Sequence, residues 1–328
     1  MLKSFKQKLV SVDKNSFKQS ALELFRYQAV HNPVYSLYLD LIGTDLDNIN
    51  EIHKIPFMPI SFFKHKKIKT GHWQEEEVFE SSGTTGGPVS RHYIQDLKFY
   101  QQVTFSIFHS FYGNPEEYVL LALLPSYLEQ KHSSLVRMVD FLIRRTGSVH
   151  SGFFLHNEEE LIDRLDYLQR KSRKKIILFG ITFALMDLAE RFNRVFKDVI
   201  IMETGGMKGR REEIIRQEVH ERLIESFHVG SIHSEYGMTE LMSQAYSKGD
   251  GIYKNPPWMK VFTREITDPL SIDNELGYGA LNVIDLANFH SCAFIATEDL
   301  GVIHGEDGFE ILGRIDNSDT RGCNLMLN

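Results

Sequence analysis

Small and hydroxyl-bearing residues are concentrated at residues 81–88, which read SSGTTGGP. Glycines let successive backbone N–H groups turn toward one concavity, and Ser and Thr hydroxyls add donors that rotate to suit an anion. The segment follows a predicted strand, EEEVFE, and lacks the Gly-Lys-Ser/Thr ending of a Walker loop. Its chemistry is that of a loop that binds a polyphosphate tail. On composition alone, a flexible Ser/Gly linker is an equal alternative.

Four more segments place polar residues just after predicted strands. TGG at 204–206 ends the strand DVIIME, and YGMTE at 236–240 follows SIHSE. TEDLG at 297–301 follows AFIA, and GRID at 313–316 follows the last predicted strand. Ligands of α/β proteins bind at the carboxyl ends of the strands. Taken with residues 81–88, these segments favour the phosphate loop over the linker.

Alternating patterns of strand and helix predict the scaffold that positions these segments. Buried strands read YVLLALLP, KKIILFG, DVIIMETGG and SIHSEYG, and amphipathic helices such as SSLVRMVDFLIRRTG and TFALMDLAERFNRVF lie between them. This βα alternation predicts an α/β fold with a largely parallel sheet flanked by helices. Before it, helical spacing begins at Ser16, with Pro33 beyond the helix end, and Pro56 and Pro59 indicate an extended connection.

The pattern changes after Gly249. Turn signals recur there, and KVFTREI, ALNVIDL, CAFIAT, GVIH and FEILGRI read as short antiparallel strands. We therefore expect a single large domain over 1–328. Its α/β body would span about 1–248, and a β-rich subdomain and tail about 249–328.

Composition limits the function classes. The 328 residues are 42% apolar and 25% charged with a net charge of −7, which is typical of a globular protein and argues against a basic nucleic-acid binder. The two cysteines, Cys292 and Cys323, exclude a disulfide framework and favour a reducing, cytoplasmic location. The apolar run IILFGITFALM is too short to span a membrane.

The five segments in this order resemble the adenylate-forming superfamily, which includes acyl-CoA synthetases, peptide-synthetase adenylation domains and firefly-type luciferases. A narrower resemblance is carried by LLPSYLEQKHSSLVRMVDFLI, TGGMKGR, HSCAFIATEDLG and GRIDNSDTRGCNLML. These look like the acyl-protein synthetase family of bacterial bioluminescence, the long-chain-fatty-acid–luciferin-component ligases. Such proteins activate a fatty acid with ATP and hold it as a thioester.

The resemblance implies two cofactors, ATP and Mg²⁺, and a role for each matching residue. The β- and γ-phosphates of ATP would be held by Ser81, Ser82, Gly83, Thr84, Thr85 and Gly86. Thr239 would bond the α-phosphate, and Glu240 would hold Mg²⁺, which prefers oxygen ligands. The backbone at Gly205 and Gly206 would approach the adenine, on which Tyr236 would stack. Asp299 would accept hydrogen bonds from the ribose hydroxyls, and Arg314 would contact the ribose from the other side.

Plainer structural roles remain open for several of these residues. Tyr236 could be a satisfied core aromatic, Asp299 a turn residue, Arg314 a surface ion pair and Glu240 a helix-start residue. The chain also departs from the superfamily pattern: Val89 follows Pro88 where a lysine is usual, and Arg91 could supply the missing cation. We expect the small C-terminal cap and its catalytic lysine to be absent, with Lys208 a weak candidate substitute.

The resemblance predicts a ligase that converts a carboxylic acid, a fatty acid by the narrower match, to an acyl adenylate and passes the acyl group to a thiol. The acceptor would be Cys323 in the tail, unless Cys323 only anchors that tail as a small hydrophobe; Cys292 is expected to be buried and inert. The alternatives are an acyl-CoA ligase that uses free coenzyme A and a catalytically weakened nucleotide-binding scaffold.

Expected partners are the small-molecule acid and an acyl-transfer or reductase protein or carrier thiol, with no nucleic acid and no membrane span. Phe105, Phe108, Phe111 and Tyr112 would line the acid pocket or form a plain helix core.

Overall fold

The computed structural model describes residues 2–82, 87–125, 129–192, 194–205, 215–268, 270–271, 277–306 and 308–315. Helices open the chain: α1 (Leu2–Lys8), α2 (Lys14–His31) and α3 (Pro33–Leu41). Helix α2 begins two residues before the predicted Ser16 because Asp13 and Ser16 form a capping box, in which each side chain accepts a hydrogen bond from the other residue's backbone N–H. Pro33 ends one predicted helix and starts α3, where its missing N–H costs nothing.

An extended connection follows, as the prolines predicted. It contains the two-residue strand β1 (Met58–Pro59) and the short helix α4 (Phe62–His65). Strands β2 (Glu77–Glu80) and β3 (Arg91–Ile94) then form an antiparallel hairpin, whose connection contains residues 81–88. Helix α5 (Leu97–Tyr112) comes next, with its N-terminus capped by Asp96.

The predicted parallel sheet is confirmed. Strands β4 (Tyr118–Leu123), β5 (Gly152–Phe153), β6 (Lys175–Ile181), β7 (Val199–Thr204) and β8 (Ile232–Tyr236) pair in parallel in the order β5-β4-β6-β7-β8. The connections carry α6 (Ser134–Thr146), α7 (Glu158–Lys171), α8 (Thr182–Arg191) and α9 (Arg216–Phe227). The carboxyl ends of β7 and β8 therefore lie side by side.

The C-terminal strands continue this sheet as antiparallel neighbours. These are β9 (Ala245–Ser247), β10 (Tyr253–Lys254), β11 (Met259–Arg264), β12 (Tyr278–Asp285), β13 (Phe294–His304) and β14 (Gly308–Arg314). In the described part of the chain the sheet has 12 strands, running β11-β12-β13-β14-β10-β9 into β8, with β1 paired to β13. The division of the chain near residue 248 stays a prediction.

One strand prediction was wrong. CAFIAT and GVIH form a single strand, β13, with a register irregularity between Leu300 and Gly301. A Cβ added to Gly301 would lie 2.2 Å from the carbonyl oxygen of Glu310 on the neighbouring strand. Glycine is therefore required by close backbone approach inside the strand, although it reads as a turn in the sequence.

Two apolar cores cover the two faces of the sheet. Along β4, Leu120 and Ala122 contribute to the core shared with α5 and α6, while Val119 and Leu121 contribute to the core shared with α7, α8 and α9. This double burial explains why the parallel strands read as continuous apolar runs. Among the described residues, no helix combines the length and apolarity needed to cross a lipid bilayer.

Candidate active site

The ends of β7 and β8 bring two of the predicted segments together. Thr204 is the last residue of β7 and pairs in register with Glu235 of β8. Gly205 follows with φ of +78°, which favours glycine and turns the chain sharply out of the sheet. Tyr236 is the last residue of β8 and is buried. The resemblance placed Gly205 and Tyr236 at one nucleotide site, and both lie at this edge.

Tyr236 contacts Asp299, and Asp299 contacts Arg314. The Tyr236 hydroxyl donates to Asp299 Oδ2 at 2.8 Å, and Arg314 Nε lies 3.3 Å from Oδ1. Asp299 and Arg314 face each other as register partners on β13 and β14. Burial raises the pKa of the Asp299 carboxyl, and Arg314 and the Tyr236 hydroxyl oppose that rise. Asp299 is therefore a strand residue in a polar cluster and not a turn residue, and Arg314 is an ion-pair partner at the rim with a largely exposed side chain.

Hydrogen bonds to Asp285 and Asn288 hold the segment after β8 in place. Asp285, at the end of β12, accepts hydrogen bonds from the backbone N–H groups of Met242 and Ser243, both at 2.9 Å, and from the Ser243 hydroxyl at 2.7 Å. The Asn288 side chain donates to the Glu240 carbonyl at 2.7 Å. Such charge-assisted bonds to buried backbone fix a loop strongly. Thr239 and Glu240 are thus presented on a rigid support.

His92 supplies a further anchor. Its Nδ1 lies 2.8 Å from the Thr239 carbonyl oxygen, and burial lowers the pKa of this imidazole to about 4. The ring is therefore neutral near pH 7, and Nδ1 must carry the proton because a carbonyl only accepts. Asp285, Asn288 and His92 were all missed by sequence reasoning. Each acts on a segment far away in the chain, and no local pattern marks them.

Glu240 lies in a turn and not at a helix start. Its carboxyl is buried, and burial raises its pKa, while the nearby Ser90 side chain and Arg314 lower it. No cluster of three or more His, Cys, Asp or Glu side chains in the described parts of the chain could hold a metal ion by itself. A single carboxylate with bound phosphates is nevertheless a usual set of Mg²⁺ ligands.

The structure describes the two ends of the phosphate-loop candidate, Ser81 and Ser90, which we call its neck. Ser81 N–H donates to the Ser90 carbonyl at 3.1 Å, and Ser90 N–H donates to Ser81 Oγ at 3.0 Å. These bonds close the two ends of residues 81–90 onto each other. Arg91 is paired with Glu80 at 2.9 Å, so its charge is already partly neutralised.

Two buried carboxylates, one near the end of β7 and one near the end of β8, were also missed by sequence analysis. Glu203 of β7 accepts from the Thr182 hydroxyl at 2.7 Å and lies 3.3 Å from Arg216. Glu235 of β8 accepts from the Thr204 hydroxyl at 2.5 Å. Burial raises the pKa of Glu235 to about 7. The clue in the sequence was an acidic residue within each apolar strand pattern.

The raised pKa of Glu235 makes stability depend on pH. The folded state binds this proton more tightly than the unfolded state, so the associated stability is present below about pH 4.5 and lost as pH rises through about 7. As pH rises from 4.5 to 8, the unfolding free energy of Glu235→Gln should therefore increase relative to that of wild type by about 3 kcal/mol. Denaturant unfolding across this range measures the gain. The exposed Glu225→Gln is the control, and a pH-independent difference for Glu235→Gln would contradict the expectation.

The described residues thus bring together Ser81, Gly205, Tyr236, Thr239, Glu240, Asp299 and Arg314 from five segments. Ser82 lies beside Ser81 and is exposed. Several other predicted residues lie outside the described residues: Gly83, Thr84, Thr85, Gly86, Gly206, Lys208 and Cys323. Cys292 is fully buried, and burial raises the pKa of its thiol to about 12, which confirms the expectation of a buried, inert cysteine.

This fold is that of the adenylate-forming ligases. The chain is similar to 2-hydroxyisobutyryl-CoA ligase, solved with 2-HIB-AMP and CoA, with a TM-score of 0.68 and 14% identity over 95% of this chain and 71% of that one. The same ligase in its postadenylation state gives a TM-score of 0.67 and 13% identity, covering 92% of this chain and 68% of that one.

The particular family follows from the sequence match. The model of the acyl-protein synthetase family, LuxE, matches residues 7–328, and the chain belongs to this family. It is 24% identical to the long-chain-fatty-acid–luciferin-component ligase of Aliivibrio fischeri over 86% of this chain and 80% of that protein. The ligase of the same name from Vibrio harveyi is also 24% identical, over 92% and 85%. The protein is therefore a ligase of the acyl-protein synthetase type.

Proposed function

We propose that this protein uses ATP and Mg²⁺ to convert a fatty acid to an acyl adenylate and then transfers the acyl group to Cys323. The observation that carries the proposal is the cluster of Tyr236, Asp299 and Arg314 beside the rigidly held Thr239 and Glu240. The fatty acid is inferred from the names of the two 24%-identical ligases.

The proposed nucleotide contacts follow the chemistry of each group. Asp299 accepts hydrogen bonds from the ribose diol, Arg314 contacts the ribose from the rim, and the Tyr236 ring stacks on adenine. Backbone at Gly205 and Gly206 allows close approach of the base. Thr239 donates to the α-phosphate. Residues 81–86 hold the β- and γ-phosphates, and the hydrogen-bonded neck at Ser81 and Ser90 supports this role.

Glu240 is the proposed Mg²⁺ ligand. A buried carboxylate whose pKa is raised gains most from a nearby cation. Ser90 at the neck of the phosphate loop and Arg314 on the ribose side both lower the pKa of Glu240, so its carboxyl is near both. When bound, Mg²⁺ neutralises phosphate charge and orients the leaving pyrophosphate. The carboxylate oxygen of the acid attacks the α-phosphorus as the bond to pyrophosphate breaks.

The second step needs a thiol. The thiolate attacks the acyl carbon of the mixed anhydride, a thioester forms, and AMP leaves. A thiol acceptor must stay reduced, and for this reason we place the reaction in the cytoplasm. A reductase or acyl-transfer protein is the proposed next recipient. Coenzyme A is the alternative acceptor, and labelling of the protein without added coenzyme A distinguishes the two.

An acid-dependent exchange between ATP and radiolabelled pyrophosphate tests the first step. Saturated fatty acids should support exchange, with aryl and amino acids as comparison panels. Exchange that is absent with every acid would reject adenylate formation and favour a nucleotide-binding scaffold, provided that the protein is folded by circular dichroism.

Asp299→Ala should weaken ATP binding by about 1.5–3 kcal/mol, the range for hydrogen bonds to a charged group. Isothermal titration calorimetry measures the change. Glu298→Ala, which removes the adjacent carboxylate near Arg314, is the matched control and should bind ATP nearly as wild type does. Unchanged affinity in a folded Asp299→Ala protein would remove Asp299 from the ribose site.

A further inference from the structure

Polar side chains are buried on the face of β8 and β9 that is turned toward α5. Glu235 and Tyr246 are register partners on these antiparallel strands, and Gln244 precedes Tyr246 by two residues, on the same face. All three are at least nine-tenths buried: their exposed fractions are 5%, 1% and 4%. Neither the nucleotide contacts nor the Mg²⁺ site proposed above uses them.

The polar atoms of this trio lack full hydrogen bonding within the described residues. The Tyr246 hydroxyl and Gln244 Oε1 are buried without a hydrogen-bond partner there. The Glu235 carboxyl uses Oε2 to accept from Thr204, while Oε1 lies against Gly237, 2.5 Å from where a Cβ on that residue would be. A buried polar atom without a partner costs about 1–3 kcal/mol. Two such atoms on one face, Gln244 Oε1 and the Tyr246 hydroxyl, indicate a polar ligand group.

Aromatic side chains surround the trio. The Tyr246 ring packs 5.4 Å from both Phe111 and Tyr112 of α5, measured between ring centroids. Tyr100, also on α5, lies close enough to Glu235 that the carboxylate contributes to raising the pKa of this phenol. The trio is thus a small polar group among aromatic side chains, and this combination of residues is the usual lining of a small-molecule pocket.

The trio is also close to the reacting groups. Glu235 precedes Tyr236, and its carboxyl lies beneath Gly237, the residue that begins the segment carrying Thr239 and Glu240. The acid must place its carboxylate beside that segment to reach the α-phosphorus. Its chain then has to leave along one face of β8. Tyr236 points to the Asp299 side, so the opposite face, with Glu235 and Tyr246, is the one left for the acid.

Resting on the proposed function, we propose that Glu235, Gln244 and Tyr246 form the polar wall of the acid pocket and that the acid carries a hydroxyl group on its chain. The donor and acceptor count selects a hydroxyl. Gln244 Oε1 needs a donor and the Tyr246 hydroxyl needs an acceptor for its proton, while the Glu235 carboxyl already accepts from Thr204. A hydroxyl both donates and accepts, whereas an ammonium group only donates and a methylene does neither.

The experiment compares acids of one chain length in the pyrophosphate-exchange assay: the saturated parent, its 2-, 3- and terminal hydroxy derivatives, and the 2-amino acid. Wild type should prefer one hydroxy acid over the parent by at least about tenfold in kcat/KM, because the parent leaves Gln244 Oε1 and the Tyr246 hydroxyl unpaired. Tyr246→Phe should reduce that ratio to within about threefold of one. Tyr118→Phe is the control: it removes a buried phenol hydroxyl that bonds the Tyr112 carbonyl, and it should keep the wild-type ratio.

The outcomes separate this inference from the proposed function. Exchange with parent and hydroxy acids at equal kcat/KM would overturn the hydroxyl inference and leave fatty-acid activation standing. A preference for the amino acid, or a hydroxy preference that survives in Tyr246→Phe, would likewise overturn it. No exchange with any acid would overturn the proposed function and this inference with it.

Discussion

Glu240→Gln should lower the rate of acyl-adenylate formation by about a hundredfold or more while the protein stays folded. An amide oxygen is a poorer Mg²⁺ ligand than a carboxylate, and charge neutralisation at the phosphates is a main source of acceleration in this chemistry. The Asn288 bond to the Glu240 backbone carbonyl is retained, so the loop should keep its position. The measurement is pyrophosphate exchange across a Mg²⁺ titration, in which the variant should also need more Mg²⁺.

Stability separates this effect from misfolding. Burial raises the pKa of the Glu240 carboxyl, so ionising it near pH 7 costs folding free energy in the protein without bound cation. The glutamine variant should therefore unfold at the same temperature as wild type or higher. Glu298→Gln, which changes a carboxylate near Arg314 outside the proposed metal site, is the control. Wild-type exchange rates for Glu240→Gln at saturating Mg²⁺ would contradict the role of Glu240.

The parallel half of the fold was predictable because its signals are local. Strand burial on both faces gives continuous apolar runs such as that of β6, and each is followed by an amphipathic helix. The edge that carries the ligand segments then follows from the handedness and direction of βα units. The antiparallel half was harder. Gly301 reads as a turn, and only the close approach of the Glu310 carbonyl, a contact between strands, explains a glycine inside β13.

In the candidate site, too, some residues were predictable from the sequence and others were not. Tyr236, Thr239, Glu240, Asp299 and Arg314 were predicted as site residues because their segments match a family pattern in order. The residues that hold these segments in place were not predicted, because hydrogen bonds such as that from His92 to Thr239 join residues 147 positions apart. Spacing along the chain carries no information about such pairs. The buried carboxyl of Glu235 was missed for a related reason: an acidic residue in an apolar strand becomes informative only when its neighbours across the sheet are known.

Cys323→Ser should abolish stable acylation of the protein while adenylate formation persists. Of the two thiols in the chain, Cys292 is fully buried, and burial raises the pKa of its thiol to about 12. It therefore stays protonated and shielded at neutral pH, which makes it a poor nucleophile. In the sequence, Cys323 follows the Arg314 end of β14, which borders the proposed ribose site, and a cation two residues earlier, Arg321, would favour the thiolate. Any acyl thioester on this chain is thus expected at residue 323.

Labelled fatty acid and ATP, added without coenzyme A, followed by mass mapping of the modified peptide, test this assignment. A hydroxylamine-sensitive acyl group on Cys323 is expected in wild type and in Cys292→Ala, and it should be absent from Cys323→Ser. Pyrophosphate exchange by Cys323→Ser should stay close to the wild-type rate, since the first step needs no thiol. Full thiol acylation of Cys323→Ser would exclude Cys323 as the acceptor. Unlabelled wild-type protein that forms acyl-CoA once coenzyme A is added would instead make free coenzyme A the acceptor, because the adenylate would then be formed but not captured by the chain.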